Sequence, residues 1–370
     1  MSAILVKILY ILIAIIFFGI IIFSHEFGHF LFAKLFKVKV NQFAIGMGPV
    51  LFKFNKKETE YSLRLFPVGG YCAMEGEDED TKDEGSFNSK KVWQRMIIVA
   101  AGAIFNLIIG FIVIALMLSL KNFADTDNAK LIGTNQVHSL GATYSDDESF
   151  PLKAGDKIIK VDDTRVYSFY DFQYILMLDD DGKFDFTVKR DGEKLELKNV
   201  QFKINEDGVL VDDFVRVGVM PTFANVIKQS ALQGISMGRI VWLSLGDLIT
   251  GQYSINDLSG PVGTIGVITD SIDYVQDEYK QTASLDLSPI LLIMALITIN
   301  IGIFNLLPVP ALDGGRLFFM FFELIFRKQI PQKYERWIHS IGLILLLILI
   351  AVISFNDIWK LIKEHTSLFS

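Results

Sequence analysis

Two histidines and a glutamate carry the clearest chemical signal in this chain. The stretch Ser24-His25-Glu26-Phe27-Gly28-His29-Phe30 contains H-E-x-x-H. On a helix, His25 and His29 are four residues apart and project from one face, so their imidazoles can share one divalent metal ion. Zn²⁺ suits such a pair, and Glu26 beside them can take a proton from a water activated there. The motif lies within an apolar run from Ile4 to Phe36, long enough to cross a bilayer at about 20 residues per span. A charge at mid-bilayer costs roughly 2.5 kcal/mol or more, and ionisable residues there usually serve a function. With five histidines in the whole chain, an accidental motif inside a span is the poorer explanation.

Composition agrees with that setting. Of the 370 residues, 51% are hydrophobic and 12% aromatic, and the mean hydropathy is +0.40. This is the balance of an integral membrane protein. The net charge of −7 argues against a nucleic-acid partner. The single cysteine, Cys72, excludes an internal disulfide and a cysteine-based zinc knuckle. A metal must therefore be held by histidine and carboxylate.

Four apolar segments are expected to span the membrane, at about 4–36, 92–120, 289–307 and 338–355. Basic residues between the first two (Lys37, Lys39, Lys53, Lys56, Lys57, Arg64, Lys82, Lys90 and Lys91) place that loop in the cytoplasm by the positive-inside rule. The N-terminus is then outside, and His29 lies near the cytoplasmic end of its span. In the second span Gly102, Ala103 and Asn106 are small or polar. Small residues allow close helix contact, and Asn106 can hydrogen-bond across the bundle. Packing accounts for all three, although Asn106 is also a candidate for ordering the site.

Residues 40–74 predict short β-runs with apolar faces, ending at Pro67-Val68-Gly69-Gly70-Tyr71. A strand edge here could pair with an extended substrate; equally, the sheet could only pack on the bilayer. Residues 75–84 form an acidic loop. Over 121–284 there are 26 acidic against 16 basic residues, whereas the rest of the chain has 16 against 19, which fits an external location for the acidic part. Within 121–222, a tight turn leading into a strand is expected over 155–162 and strands at 184–189, 195–197 and 215–219, with a helix over 171–178. An Asp191-Gly192 hairpin turn joins two of the strands. An amphipathic interfacial helix is expected over 223–250, and a turn at Ser259-Gly260-Pro261-Val262-Gly263.

The last chemistry-bearing segment is Asn305-Leu306-Leu307-Pro308-Val309-Pro310-Ala311-Leu312-Asp313-Gly314-Gly315. Pro308 and Pro310 cannot continue a helix, and irregular backbone at membrane depth is tolerated only inside protein or beside a wet cavity. Two histidines leave zinc one protein ligand short of the usual three. Asp313 is the best candidate for the third, with a helix-capping role as the alternative. His339, at the start of the last span, reads as interfacial.

Taken together, His25-Glu26-Phe27-Gly28-His29, Asn305-Leu306-Leu307-Pro308, Leu312-Asp313-Gly314 and the β-rich segment between the second and third spans resemble the site-2 protease family. The bacterial regulator-of-sigma-E-protease type is the nearest group. Residues 87–106 and 259–263 also resemble family segments. The resemblance implies that His25, His29 and Asp313 bind one Zn²⁺ and that Glu26 is the catalytic base. It assigns Asn305 to substrate handling, and Gly69, Gly70 and Tyr71 to the end of a membrane-associated sheet that contacts substrate. The implied fold is a polytopic α-helical membrane protein with about four transmembrane helices, a membrane-associated β-hairpin or sheet, and one extracytoplasmic PDZ-like α+β domain. Its parts would be 1–36, 37–91, 92–120, 121–222, 223–288, 289–335 and 336–370. The implied activity is zinc-dependent intramembrane proteolysis of single-pass membrane proteins within the lipid bilayer of the cell membrane. Anti-sigma factors and signal-peptide remnants are the candidate substrates. Two departures stand out. Gly102-Ala103 replaces a frequent Gly-Pro, and Tyr144-Ser145-Asp146-Asp147-Glu148-Ser149 replaces the small-residue run of a peptide-binding PDZ domain. The rival reading is an inactive scaffold that binds partners through the PDZ-like domain.

Overall fold

The computed structural model describes residues 3–77, 83–120, 132–140, 143–144, 147–177, 181–205, 210–211, 214–251, 260–282, 286–328 and 330–367. The middle of the expected acidic loop (78–82), the start of the expected external domain (121–131) and Ser259 lie outside these residues. The chain divides into two compact units, one formed by residues 1–110, 251–274 and 293–370 and the other by 111–250 and 275–292.

In the first unit, α1 (Ala3–Leu35) and α2 (Val92–Leu120) are continuous apolar helices. They meet where both carry small residues: a Cβ on Gly28 would sit 2.5 Å from the Ala101 carbonyl oxygen. Without side chains at the crossing, backbone packs on backbone. Helix α6 (Ser288–Phe304) approaches the other side of α2, where a Cβ on Gly302 would lie 3.1 Å from the Ala103 carbonyl oxygen. Helices α7 (Asp313–Phe326) and α8 (Gln332–Ser367) complete the unit. Among the described residues, three helical stretches are long and apolar enough to cross a membrane: Ile16–Leu35, Val92–Leu120 and Gln332–Lys363. The expected third span is the shorter α6, with 17 residues. It ends at Phe304, before the two prolines.

The short β-runs expected at 40–74 are two long irregular strands, β1 (Val40–Lys56) and β2 (Thr59–Met74). They fold back so that Gln42, Phe43, Ala44 and Ile45 have partners on both sides: Ala73 to Gly70 on one and Glu60 to Leu63 on the other. Residues 70–74 consequently form an edge. Gly46, Gly48 and Gly69 take left-handed backbone angles at the corners, which glycine alone adopts freely. Ala33, Val40, Phe43, Met74 and Ile98 share a buried core, so the inner end of the sheet is fixed to α1 and α2. Its outer half exposes Val50, Leu51, Phe52, Leu65 and Phe66.

Two polar contacts decide features that the sequence left open. The turn expected at 259–263 is in fact the start of a 22-residue helix, α5 (Pro261–Thr282), within the 223–288 stretch expected to end in loop. Proline suits a first helical position, and the buried Asp357 carboxylate of α8 accepts the N–H groups of Gly260 and Gly263 at 3.0 and 2.8 Å. Arg95 of α2 pairs with Glu323 of α7 at 2.5 Å, both side chains largely buried. Removing one partner strands a charge, whereas replacing both does not. Arg95→Met is therefore expected to lower stability by about 3 kcal/mol, and Arg95→Met with Glu323→Met to recover most of it. Denaturation in detergent micelles measures this, and an additive double variant would contradict it.

The second unit is β-rich. Strands β3 (Ile132–Ser139), β4 (Lys157–Val161), β6 (Lys183–Arg190), β7 (Glu193–Gln201) and β8 (Val215–Val219) run in the order β7-β6-β4-β3-β8, and β5 (Thr164–Arg165) pairs with β4. Asp191 and Gly192 both have positive φ, as a tight hairpin with right-handed strand twist requires. Phe172, Phe184, Phe186 and Phe202 fill the core. Tyr144 belongs to the same core, and its hydroxyl donates to the Val211 carbonyl. Helix α3 (Phe169–Met177) is tied to α4 (Phe223–Thr250) by the buried Asp171, which accepts from Ser236 Oγ and Arg239 Nη2 at 2.6 and 2.7 Å.

Candidate metal centre

Helix α1 aligns His25 and His29 as their spacing requires, with Nε2 atoms 3.2 Å apart. Asp313 comes from a different part of the chain, and its Oδ2 lies 3.2 Å from each Nε2. Leu312, not Asp313, occupies the N-cap position of α7, and it makes no side-chain capping bond. The capping alternative for Asp313 is therefore not what the geometry favours. His25, His29 and Asp313 form a group of ligand atoms within 4.8 Å of one another.

Physical chemistry tests whether these atoms suit a cation. His29 Nδ1 lies 2.9 Å from the Ile98 carbonyl oxygen. A carbonyl only accepts, so Nδ1 carries a proton there, and Nε2, which faces Asp313, is the ring nitrogen positioned to bind a metal. Asp313 Oδ2 is buried with no hydrogen-bond partner. A buried carboxylate oxygen is costly without a partner, and a cation shared with the two imidazoles would satisfy it. The donor set, two imidazoles and a carboxylate, fits zinc.

The backbone around Asp313 is unusual. Ala311 has φ +80°, a state that costs a non-glycine residue about 1–3 kcal/mol. The Gly314 N–H donates to the Asn305 carbonyl at 2.7 Å. A Cβ on Gly314 would meet the Leu306 carbonyl carbon at 2.5 Å, and one on Gly315 the Val309 carbonyl oxygen at 2.6 Å. The two glycines after Asp313 let α7 begin in contact with the loop that precedes it.

A cavity of about 700 Å³ opens beside these residues, lined among others by His25, Glu26, His29, Gly70, Tyr71 and Asp313. Gly70 lies against the H-E-x-x-H helix: a Cβ there would come within 2.9 Å of Glu26 Cγ and 3.0 Å of Ile22 Cγ2. The Tyr71 hydroxyl accepts from Arg64 Nη2 at 2.5 Å and donates to Gln42 Oε1 at 3.0 Å, which fixes the ring at the sheet edge. Gly69 and Asn305 are not among the lining residues. Gly69 turns the strand, and Asn305 meets the metal loop through its backbone carbonyl. Asn106 is fully buried, and its Oδ1 accepts from Ser24 Oγ at 2.9 Å, holding the residue just before His25.

Two residues matter here that the sequence patterns did not single out as site residues. A Cβ on Gly102 would overlap His29 Nε2 and stand 2.6 Å from His29 Cε1 and 2.9 Å from His25 Cε1. This glycine does more than pack helices, because both imidazoles occupy the space it leaves. His339, expected at an interface, lines the cavity and accepts the Ala311 N–H through Nδ1 at 3.0 Å. Neither neighbour could be read from spacing, since each depends on packing between distant segments.

An H-E-x-x-H helix in an apolar segment, with a carboxylate added from a remote loop, has the parts of a membrane metallopeptidase. The family model described as Peptidase family M50 matches residues 13–349. A provisionally named zinc metalloprotease of Clostridium perfringens is 33% identical, covering 95% of this chain and 98% of the relative. The regulator of sigma-W protease RasP of Bacillus subtilis is 27% identical over 94% and 97% of the two chains. Zinc metalloprotease RasP of Bacillus licheniformis is 28% identical over 94% and 98%. The chain belongs to peptidase family M50, the site-2 protease family.

Proposed function

We propose that this protein is a zinc-dependent intramembrane endopeptidase that cuts membrane-spanning segments of single-pass membrane proteins, with His25, His29 and Asp313 holding the metal and Glu26 acting as base. One observation carries the reading: three ligand atoms converge inside an apolar helix bundle, beside a cavity bordered by a strand edge.

Zinc bound there would polarise the scissile carbonyl and lower the pKa of a water molecule at neutral pH. Glu26 accepts the proton of the attacking water and returns it to the leaving amine. A membrane helix hides its carbonyls in i→i−4 hydrogen bonds, so the substrate must unwind before it can react. Residues 70–74 present main-chain groups along the cavity, and pairing with them would hold an unwound segment extended past Glu26. Gly70, lacking a side chain, lets this edge lie close to Glu26.

Helix α6 serves as a fourth membrane helix, about 25 Å long at 1.5 Å per residue. The basic 37–91 loop supports a cytoplasmic side for the sheet, in the cell membrane. The acidic excess over 121–284 supports an external side for the β-rich unit, which we read as PDZ-like. The name of the Bacillus subtilis relative, regulator of sigma-W protease, supports a regulatory setting for the cleavage.

Zinc content tests the site without a substrate. Protein purified in mild detergent should carry about one zinc per chain, and His25→Ala and Asp313→Ala should each lose it. Full zinc retention in Asp313→Ala would remove Asp313 from the ligand set.

A further inference from the structure

Helix α8 touches the loop before Asp313 at two points, one helical turn apart. His339 Nδ1 accepts the Ala311 N–H at 3.0 Å. Gly342, three residues on and on the same face, lies against Pro310: a Cβ there would come within 2.9 Å of both the carbonyl carbon and oxygen of that residue. The His339 ring is wedged against α7 as well. Its centroid is 5.8 Å from that of Phe319, and its Cε1 lies 3.1 Å from where a Cβ on Gly315 would be. The residue so held is Ala311, at φ +80°. Alanine does not keep this backbone state unless its surroundings impose it. Ala311 is two residues from Asp313, so its torsions decide where the carboxylate points. Among the described residues the converging ligand group contains His25, His29 and Asp313, and not His339.

We propose that His339 is a positioning residue for the metal site. Its Nδ1 holds the left-handed turn at Ala311 and thereby aims Asp313 at the two histidines, and Gly342 allows the close contact that makes the bond possible. The inference rests on the reading of Asp313 as a metal ligand. Partners outside the ligand shell that orient it typically change metal affinity by 10–100-fold when lost.

The test uses the full chain in mild detergent and two measurements. One is amide hydrogen exchange across residues 309–313 in protein stripped of metal by a chelator. The other is zinc affinity by chelator competition. His339→Phe keeps an aromatic ring beside Phe319 but removes the acceptor, whereas His339→Asn returns an acceptor near the Nδ1 position. His339→Phe should speed exchange at Ala311 by about 10-fold or more. It should also raise the zinc dissociation constant by about 10–100-fold, with His339→Asn within about threefold of the parent in both respects. Gly342→Ala, which pushes on Pro310 from the same helix, should move both measurements in the same direction. Unchanged exchange in His339→Phe and Gly342→Ala overturns the proposal. Equal losses in the Phe and Asn variants also overturn it, because the hydrogen bond would then not be the cause. If exchange responds as expected while the parent protein holds no zinc, the clasp stands and the metal-ligand reading falls.

Discussion

Gly102→Ala should weaken zinc binding severely while leaving the helices intact. The added methyl would overlap His29 Nε2 and press on Cε1 of both histidines. His29 cannot swing away cheaply, because its Nδ1 is bonded to the Ile98 carbonyl of the same helix, α2, that carries Gly102. Nor can the two helices separate easily: Gly28 rests on the Ala101 backbone, and Asn106 grips Ser24 across the same interface. The ligands must therefore move, and a fall in zinc affinity of about 100-fold or more is expected. Helix α2 itself should not suffer, since alanine is a better helix former than glycine by about 1 kcal/mol. Zinc content after chelator challenge, alongside circular dichroism, makes the measurement. Parental zinc affinity in the variant would mean that the site is more compliant than the packing implies.

Glu26→Gln should behave in the opposite way. The amide has nearly the same size and cannot accept a proton, so zinc should remain while cleavage falls by about 10²–10⁴-fold. The proposed ligand atoms come from His25, His29 and Asp313, and the packing of Gly70 against Glu26 Cγ does not depend on charge. Cleavage of a reporter membrane segment in reconstituted vesicles, with zinc quantified in the same sample, separates the two effects. If activity survived, another group lining the cavity, such as Glu77 or Glu335, would serve as the base. An inactive scaffold would not respond to this substitution at all.

The contrast between these two variants follows the division between what the sequence determined and what the tertiary structure decided. Local information was enough for His25, Glu26 and His29, because a four-residue spacing on a helix fixes relative direction without reference to anything else. It was also enough for the apolar helices and for the Asp191-Gly192 hairpin, where each residue's own backbone preference selects the conformation. Asp313 could be named because zinc needs a third ligand and the chain has one cysteine. Its approach to within 3.2 Å of both histidines was not visible, since the loop that carries it is irregular. Gly102 and His339 drew no functional reading for one reason. A glycine's purpose lies in what occupies the space beside it, and a histidine's in what faces its nitrogens, and both are set by segments far away in the chain. Helix α5 was mistaken for a turn on the same account: Gly-Pro-Val-Gly reads as a break until the Asp357 carboxylate from α8 accepts its N–H groups. Sequence determined the chemistry of the candidate ligands; packing decided their aim, because direction in an irregular loop is held by contacts that no local propensity encodes.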